Sequence, residues 1–315
     1  MLAALMLSAV CSMSRAAVVP PRSLFQPAMY YGKDHRRDLY EIQDARLLDI
    51  ADSAVAVFDA ADVSLDGGQA RLKTKSYGKQ YKLCRSEKFY GQREGADCSG
   101  TLIAPDLVLT AGHCVKSQRA CVKTKFVFGF ALTQPDRDAT RVPAGEVYGC
   151  GRLLDRQDQA EGADWAVVRL DRAVTGHRPA RLRYAPPRLG AGLVMAGFPS
   201  GLPLKLAAGA RVTDTSDRRY YQADLDAFAG NSGSGVFLEE TGELVGVMVR
   251  GPDPDFVRRG SCRVTYRCRG GVERCGSQDV TRLTEILVPP ALRPSFAQDV
   301  SSRLPPPGSL FGSPR

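Results

Sequence analysis

The sequence predicts an all-β fold in which two barrels or sandwiches follow one another along the chain. Between residues 48 and 290, short apolar runs alternate with turns rich in Gly, Pro, Asp and Asn, and no long helical periodicity separates them. A stretch rich in Arg and Pro at residues 176–189 is expected to connect two all-β halves. The apolar runs are Ala54–Phe58, Gly100–Ile103, Leu107–Thr110, Lys125–Phe130, Trp165–Leu170, Gly192–Gly197 and Glu243–Val249.

The composition agrees with a globular domain and excludes several other classes of protein. Of the 315 residues, 43% are hydrophobic and 24% are charged, so neither wholesale disorder nor a fibrous repeat is expected. No segment approaches the ~18 consecutive apolar residues of a transmembrane helix. The net charge is +9, and its densest part is an arginine cluster between residues 258 and 274. Because no groove-reading or aromatic motif accompanies that cluster, no nucleic-acid partner is expected.

The two ends of the chain differ from this central domain. Residues 1–16 combine a short apolar core with small residues before a cleavage position at Ala17, which is the outline of a secretory signal peptide. The protein is therefore expected to be secreted, either outside the cell or into a periplasm. Residues 17–47 are expected to be a propeptide or an N-terminal extension. Residues 291–315, rich in Pro, Ser and Gly, are expected to be disordered.

The cysteines predict disulfides rather than a metal site. Removal of residues 1–16 leaves eight of the nine cysteines, and an even number after an export signal is typical of disulfide-bonded proteins. A zinc site needs closely spaced ligand pairs such as C-x-x-C, which these cysteines lack, and the chain has only three histidines, so no metal is expected. The eight are Cys84, Cys98, Cys114, Cys121, Cys150, Cys262, Cys268 and Cys275.

Three segments carry residues that together can perform nucleophilic catalysis. His113 follows two predicted strands, Asp164 opens the run DWAVVRL, and Ser232 lies in the glycine-rich turn GNSGSGV. A serine hydroxyl is a poor nucleophile at neutral pH, so it needs a base, and the base needs an acceptor that fixes its tautomer. His113, Asp164 and Ser232 supply the base, the orienting acid and the nucleophile. The glycines allow the backbone N–H groups of Gly230 and Ser232 to point inward and bind an oxyanion.

The order of these residues along the chain separates the known classes of serine hydrolase. No histidine follows Ser232, whereas an α/β-hydrolase has its histidine last. A subtilisin-like enzyme, whose order is acid, histidine, serine, has a helix after its serine. Here a β-hairpin is predicted after the serine, over Val236–Glu239 and Glu243–Val249.

On these residues the chain resembles the chymotrypsin superfamily of serine endopeptidases, and most of all its secreted bacterial branch of trypsin-like and glutamyl-endopeptidase enzymes. Thr110–Cys114 (TAGHC) matches the histidine motif, Asp164 lies in the family's D-x-A pattern, and Gly230–Ser234 (GNSGS) matches the serine motif. The resemblance implies a trypsin-like fold of two packed antiparallel β barrels, at about 48–180 and about 190–290, with the active site in the cleft between them.

The resemblance also implies the partners and the cross-links of the protein. Its substrates are expected to be proteins or peptides. The protein is expected to be a monomer that needs no cofactor, binds no nucleic acid and does not insert stably into a membrane. A disulfide between Cys98 and Cys114 is implied, which clamps the loop that presents His113. Cys121 is expected to pair with Cys150. The remaining four cysteines allow three pairings that the sequence does not separate.

Two residues near the active site depart from the pattern of animal trypsins. Asn231 replaces the aspartate that captures the new N-terminal amine when those zymogens are activated, so activation is not expected to depend on that ion pair. Val249 stands where those relatives commonly have a serine that helps to orient the catalytic acid. That help is absent for Asp164.

Three residues are candidates for the pocket that selects the substrate side chain. Asp226 lies six residues before Ser232, where trypsin-like relatives place an acid that favours Arg or Lys before the scissile bond. Met248 aligns with a histidine of glutamyl endopeptidases, and Arg250 favours acidic residues instead. The alternatives are that Asp226 is a turn residue outside the pocket, that the preference is glutamyl, or that the protein is an inactive homologue that only binds its targets.

Overall fold

The computed structural model describes residues 30–286, apart from residue 136. The predicted signal peptide (1–16) and the predicted disordered tail (291–315) lie outside these described residues. Strands dominate the described part, in which the longest helix, α1 (Ala45–Asp52), has eight residues. None of the helices in this part of the chain is long and apolar enough to cross a membrane.

The first half forms a closed barrel of six antiparallel strands. The strands are β1 (Ala54–Asp59), β2 (Cys98–Ala104), β3 (Leu107–Thr110), β4 (Thr124–Val127), β5 (Val147–Asp158) and β6 (Asp164–Leu170). Around the barrel the strand order is β4, β5, β6, β3, β2, β1, and β1 closes the ring on β4. Successive side chains of a strand point to opposite faces, so β6 buries Val168 inside the barrel and Trp165 against the second half.

The second half forms another six-stranded antiparallel ring. Its strands are β7 (Gly192–Gly197), β8 (Lys205–Asp214), β9 (Tyr220–Ala223), β10 (Gly235–Leu238), β11 (Leu244–Arg250) and β12 (Gln278–Arg282). Around the ring the strand order is β7, β10, β11, β12, β9, β8, and β8 pairs back with β7. β10 and β11 are the hairpin that the sequence predicts after Ser232. The predicted all-β fold of two packed barrels is therefore confirmed.

An apolar core lies between the two barrels and holds them together. Phe58 and Phe130 of the first half meet edge to face with ring centroids 5.4 Å apart, and Phe130 stacks on Phe198 of the second half at 6.1 Å. Aromatic pairs of this kind contribute about 0.5–1.5 kcal/mol beyond the burial of their surface. This packing places the end of β3 and the start of β6 opposite the turn that precedes β10.

The N-terminal segment packs on the second barrel. Arg36–Asp38 extends the sheet by pairing with β8, and Tyr30–Tyr31 pairs with Arg267–Cys268. α1 follows, and the side chain of Asp44 caps its first turn by accepting a hydrogen bond from the N–H of Arg46. Residues 30–47 of the predicted propeptide or extension (17–47) are thus packed against the domain.

Shorter elements lie outside the two rings. The connection predicted at 176–189 runs between β6 and β7 with no strand longer than a single bridge. The remaining strands are Val63–Asp66, Gln69–Leu72, Lys75–Ser76, Arg93–Glu94, Arg141–Pro143, Phe256–Arg259 and Cys262–Thr265. The short helices are Tyr77–Gln80, Gln118–Cys121 and Val272–Cys275, and the 3-10 turns are Leu39–Glu41, Ala60–Asp62, Ala144–Glu146, Pro199–Gly201 and Leu283–Glu285.

Disulfides cross-link both barrels. The structure pairs Cys98 with Cys114 and Cys121 with Cys150, which are the two pairings expected from the sequence. The other four cysteines pair as Cys84–Cys262 and Cys268–Cys275. The Cys84–Cys262 bond joins residues 178 positions apart. It ties the segment before β2 to the loop of residues 251–277 that connects β11 to β12, called the 251–277 loop below.

Candidate active site

His113 is held in the turn after β3, and two features fix that turn. The disulfide between Cys98 and Cys114 ties the residue after His113 to the start of β2. Closing a loop of this size stabilises a fold by about 3 kcal/mol on a chain-entropy model. Gly112 lies against β5, where an added β-carbon would come within 1.8 Å of the carbonyl oxygen of Gln157. A glycine is therefore required immediately before His113.

Asp164, the first residue of β6, orients the ring of His113. Its Oδ2 lies 2.6 Å from Nδ1 of His113. Its Oδ1 accepts hydrogen bonds from the backbone N–H of Gly112 at 2.6 Å and of His113 at 3.2 Å. The side chain of Asp164 is only 6% exposed, whereas that of His113 is 35% exposed. The buried carboxylate therefore keeps a proton on Nδ1 and leaves Nε2 as the acceptor that faces the cleft.

Ser232 lies next to this pair, in the turn before β10. Its carbonyl oxygen accepts a hydrogen bond from Ser99 N at 2.8 Å and lies 3.7 Å from Sγ of Cys114. The following residue, Gly233, has φ +89°, and a β-carbon there would lie 2.1 Å from the carbonyl oxygen of Ser99. Among residues 30–135 and 137–286, neither Ser232 Oγ nor His113 Nε2 has a hydrogen-bond partner. Hydrogen bonds between a nucleophile and its base often tighten only when a substrate binds.

The backbone of the serine turn offers two N–H groups to the cleft. Within residues 228–234, five of the seven N–H groups donate to acceptors in the described part of the chain. The two that do not are those of Gly230 and Ser232, which the sequence predicts as oxyanion donors. Gly230 has φ +86°, a backbone conformation that glycine adopts at little cost. Two unused donors next to a nucleophile are suited to stabilise the charge of a tetrahedral intermediate.

A cavity begins at the same turn and provides room for a substrate. It has a volume of about 290 Å³, and Ala229 and Gly230 form one of its walls. Charged side chains, including Glu94 and Asp97, also line this cavity. Burial raises the pKa of both carboxyl groups. The cavity therefore leaves space beside Gly230, which carries one of the two unused N–H groups.

The family comparison covers the segment that holds all three residues. A family model described as a trypsin-like peptidase domain matches residues 98–247, which contain His113, Asp164 and Ser232. Over this segment the chain is similar to the trypsin-like peptidase family. The resemblance to the chymotrypsin superfamily that the motifs predict is confirmed.

Individual relatives match shorter regions of this trypsin-like chain. Chymotrypsin-like elastase family member 3B of Homo sapiens is 31% identical over 90 residues, which are 29% of this chain and 33% of the relative. Proproteinase E of Bos taurus is 29% identical over 99 residues, or 30% and 39% of the two chains. The matches therefore span a third to two fifths of these relatives.

Solved structures match at low sequence identity over most of the chain. A Glu endopeptidase has a TM-score of 0.46 and 18% identity, and the match covers 80% of this chain and 92% of that one. Human heparin binding protein has a TM-score of 0.48 and 15% identity, with 87% and 97% covered.

The carboxylate of Asp226 is bonded to the N-terminal segment of this trypsin-like domain. It accepts hydrogen bonds from the backbone N–H of His35 at 2.7 Å and of Tyr31 at 3.4 Å, and the Nδ1 atom of His35 lies 3.1 Å away. Burial raises the pKa of Asp226 to about 6, although the N–H of His35 opposes that shift. A basic substrate side chain must therefore compete with His35 and Tyr31 for this carboxylate.

The other two candidate pocket residues lie on β11. Met248 is 4% exposed and packs in the core of the second barrel, while its backbone bonds to Gly233 N and Ser234 O. The guanidinium of Arg250 forms an ion pair with Asp279 at 3.3 Å and donates to the carbonyl oxygens of Gln159 and Gly162. Arg250 thus joins β11 to the turn between β5 and β6, and a substrate carboxylate would have to displace those contacts.

Two residues that support the site escape a reading of the sequence alone. The hydroxyl of Thr281 on β12 contacts both the backbone N–H and the carbonyl oxygen of Asp164, at 3.2 and 3.0 Å. The hydroxyl of Ser99 donates to the carbonyl oxygen of Gly230 at 2.7 Å. Each contact joins residues more than 100 positions apart, so no local pattern announces it.

Proposed function

We propose that this protein is a serine endopeptidase that hydrolyses peptide bonds through an acyl-enzyme. His113 takes the proton of Ser232 as its Oγ attacks the carbonyl carbon of the scissile bond, and Asp164 stabilises the resulting imidazolium. The N–H groups of Gly230 and Ser232 bind the oxyanion of the tetrahedral intermediate. His113 then protonates the leaving amine, and water hydrolyses the acyl-enzyme by the reverse sequence.

The observation that carries this proposal is the double contact of the Asp164 carboxylate. One oxygen bonds to the His113 ring at 2.6 Å while the other binds the backbone N–H groups of the turn. A structural histidine on a barrel surface does not need such a buried acceptor. Here the acceptor fixes the tautomer that a general base requires, on the side of the cleft where Ser232 lies.

A serine-directed fluorophosphonate tests the proposal directly. Labelling of the wild-type protein at Ser232, together with turnover of peptide substrates, supports an endopeptidase. No labelling and no turnover in folded, disulfide-bonded protein contradicts it and favours the alternative, a homologue that binds its targets without cleaving them.

An exported location is also proposed, and the four disulfides support it because such bonds persist in oxidising compartments.

We further propose a preference for Arg or Lys before the scissile bond, through Asp226. In a panel of reporter peptides that differ only at this residue, Arg and Lys peptides are expected to exceed the Glu peptide in kcat/KM by about 100-fold or more, because a like charge beside a carboxylate costs several kcal/mol. Asp226→Asn is expected to abolish most of that ratio. Rapid cleavage after Glu but not after Arg contradicts the assignment and favours the glutamyl alternative.

Activation is proposed not to depend on an N-terminal amine at Asn231. The side chain of Asn231, 1% exposed, already accepts from Phe228 N and donates to Ser234 Oγ, both at 3.0 Å. Asn231→Asp removes that donor and buries a carboxylate. It is expected to give no gain in turnover and to lower the free energy of unfolding by about 1–3 kcal/mol. Chemical denaturation and peptide turnover measure the two effects. A strict requirement for a newly cut N-terminal amine would contradict the proposal.

A further inference from the structure

The peptide group between Ala229 and Gly230 is fixed by residues outside the serine turn. Its carbonyl oxygen, on Ala229, accepts a hydrogen bond from the backbone N–H of Ser200. In a trans peptide the C=O and N–H bonds point in opposite directions. The N–H of Gly230 is therefore turned away from Ser200, and it is one of the two unused donors of the serine turn.

A carboxylate holds the peptide group on the N-terminal side of Ala229. The N–H of Ala229 donates to Asp255, with oxygen distances of 3.1 and 3.4 Å. Because Ala229 is thus bonded through both its N–H and its C=O, rotation about its backbone bonds would break one of these contacts. The orientation of the next N–H, that of Gly230, follows from this constraint.

Asp255 is itself rigidly placed, in the 251–277 loop. Its carbonyl oxygen accepts from Tyr266 N at 3.0 Å, and the next residue, Phe256, packs on Phe228 with ring centroids 6.2 Å apart. The Cys84–Cys262 disulfide fastens the same loop to the first half of the chain. A carboxylate on such a support can hold Ala229 still rather than follow its motion.

We propose that Asp255 is a positioning residue that orients the Ala229–Gly230 peptide, so that the N–H of Gly230 points at the oxyanion. This role rests on the proposed function. Its effect is expected on the transition state, because the N–H of Gly230 forms a weaker hydrogen bond with the substrate carbonyl in the ground state than with the oxyanion. The 251–277 loop would then contribute to catalysis through Asp255, although Asp255 itself would not contact the substrate.

The charge of Asp255 makes this role dependent on pH. Burial raises the pKa of Asp255 to about 6, and the hydrogen bond from Ala229 opposes that shift. Above that pH the group is a carboxylate and binds the N–H through a charge-assisted bond, whereas below it the neutral acid is a weaker acceptor. The other titratable groups that face Asp255 are Arg36 of the N-terminal segment, Tyr77 and Tyr81 of the segment before β2, and Asp253 and Arg263 of its own loop.

The test compares Asp255→Asn with Asp255→Glu and with Glu273→Gln, an exposed carboxyl in the same loop. For Asp255→Asn we expect kcat to fall about tenfold and KM to change less than about twofold, since loss of a whole oxyanion donor costs ~10²–10³ in kcat and a misdirected donor costs less. The acid limb of kcat/KM is expected to involve one proton fewer in Asp255→Asn than in the wild type, because the carboxyl group of Asp255 is no longer there to titrate. Asp255→Glu is expected to keep the acid limb of the wild type, and Glu273→Gln to behave as the wild type.

The possible outcomes separate the role of Asp255 from the proposed function. Wild-type kcat and an unchanged acid limb in Asp255→Asn overturn the positioning role, and so does a lower melting temperature with no change in kcat or in the pH profile. If Asp255→Asn fails to fold, the acid limb of Asp255→Glu decides: a limb with one proton fewer than that of the wild type overturns the role. A wild-type protein that is neither labelled at Ser232 nor active on peptides overturns the proposed function and this role with it.

Discussion

Replacing Ser232 with alanine is expected to lower kcat by a factor on the order of 10⁶. The substitution removes only Oγ, the atom that forms the acyl-enzyme, and this Oγ has no hydrogen-bond partner among the described residues. The backbone contacts of Ser232, including the bond from Ser99 N to its carbonyl oxygen, do not depend on the side chain. Activity is therefore expected to be lost while the melting temperature changes little.

The measurement combines peptide turnover, fluorophosphonate labelling and thermal unfolding. Ser234→Ala is a useful comparison, because Ser234 lies two residues away and its hydroxyl accepts a hydrogen bond from the buried side chain of Asn231. That variant is expected to lose stability and to retain labelling at Ser232. Residual turnover in Ser232→Ala above about one thousandth of the wild type, in protein free of wild-type contamination, would show that another nucleophile acts.

The parts of this site that the sequence predicts are those encoded within a few neighbouring residues. Gly112 and His113 share one turn, and its tight geometry requires a glycine whatever the rest of the fold does. In the same way Gly230 and Ser232 are separated by one residue, so the spacing of the two unused N–H groups is a local property. The sequence also predicts β6 as a strand, because apolar side chains occupy both faces of that strand.

The parts that the sequence does not predict depend on contacts between distant residues. Asp226 has the spacing of a pocket acid, yet its partners His35 and Tyr31 lie more than 190 positions away. Nothing in the pattern around Asp255 marks it as the acceptor for Ala229. β5 is a further case, since its second half, RLLDRQD, is polar and partly exposed and has no apolar run, while its pairing with β6 makes it a strand.

Replacing Asp164 with asparagine is expected to lower kcat by about 10⁴ through the tautomer of His113. Oδ1 of Asp164 accepts from the N–H groups of Gly112 and His113, so the oxygen of an asparagine stays there and its NH₂ group faces Nδ1. An NH₂ group can only donate to Nδ1, which moves the ring proton to Nε2. Nε2 then no longer accepts the proton of Ser232.

Asp158→Asn is the matched control for this substitution, because Asp158 is the cross-strand neighbour of Asp164 on β5 but pairs with Arg156. It is expected to leave kcat within about twofold of the wild type, since surface ion pairs contribute little. Peptide turnover and the rate of fluorophosphonate labelling are both expected to fall in Asp164→Asn and not in the control. An Asp164→Asn protein with kcat within tenfold of the wild type would mean that Asp164 only supports the turn around His113. The 2.6 Å contact with the ring would then be structural, and the base would owe its orientation to other groups.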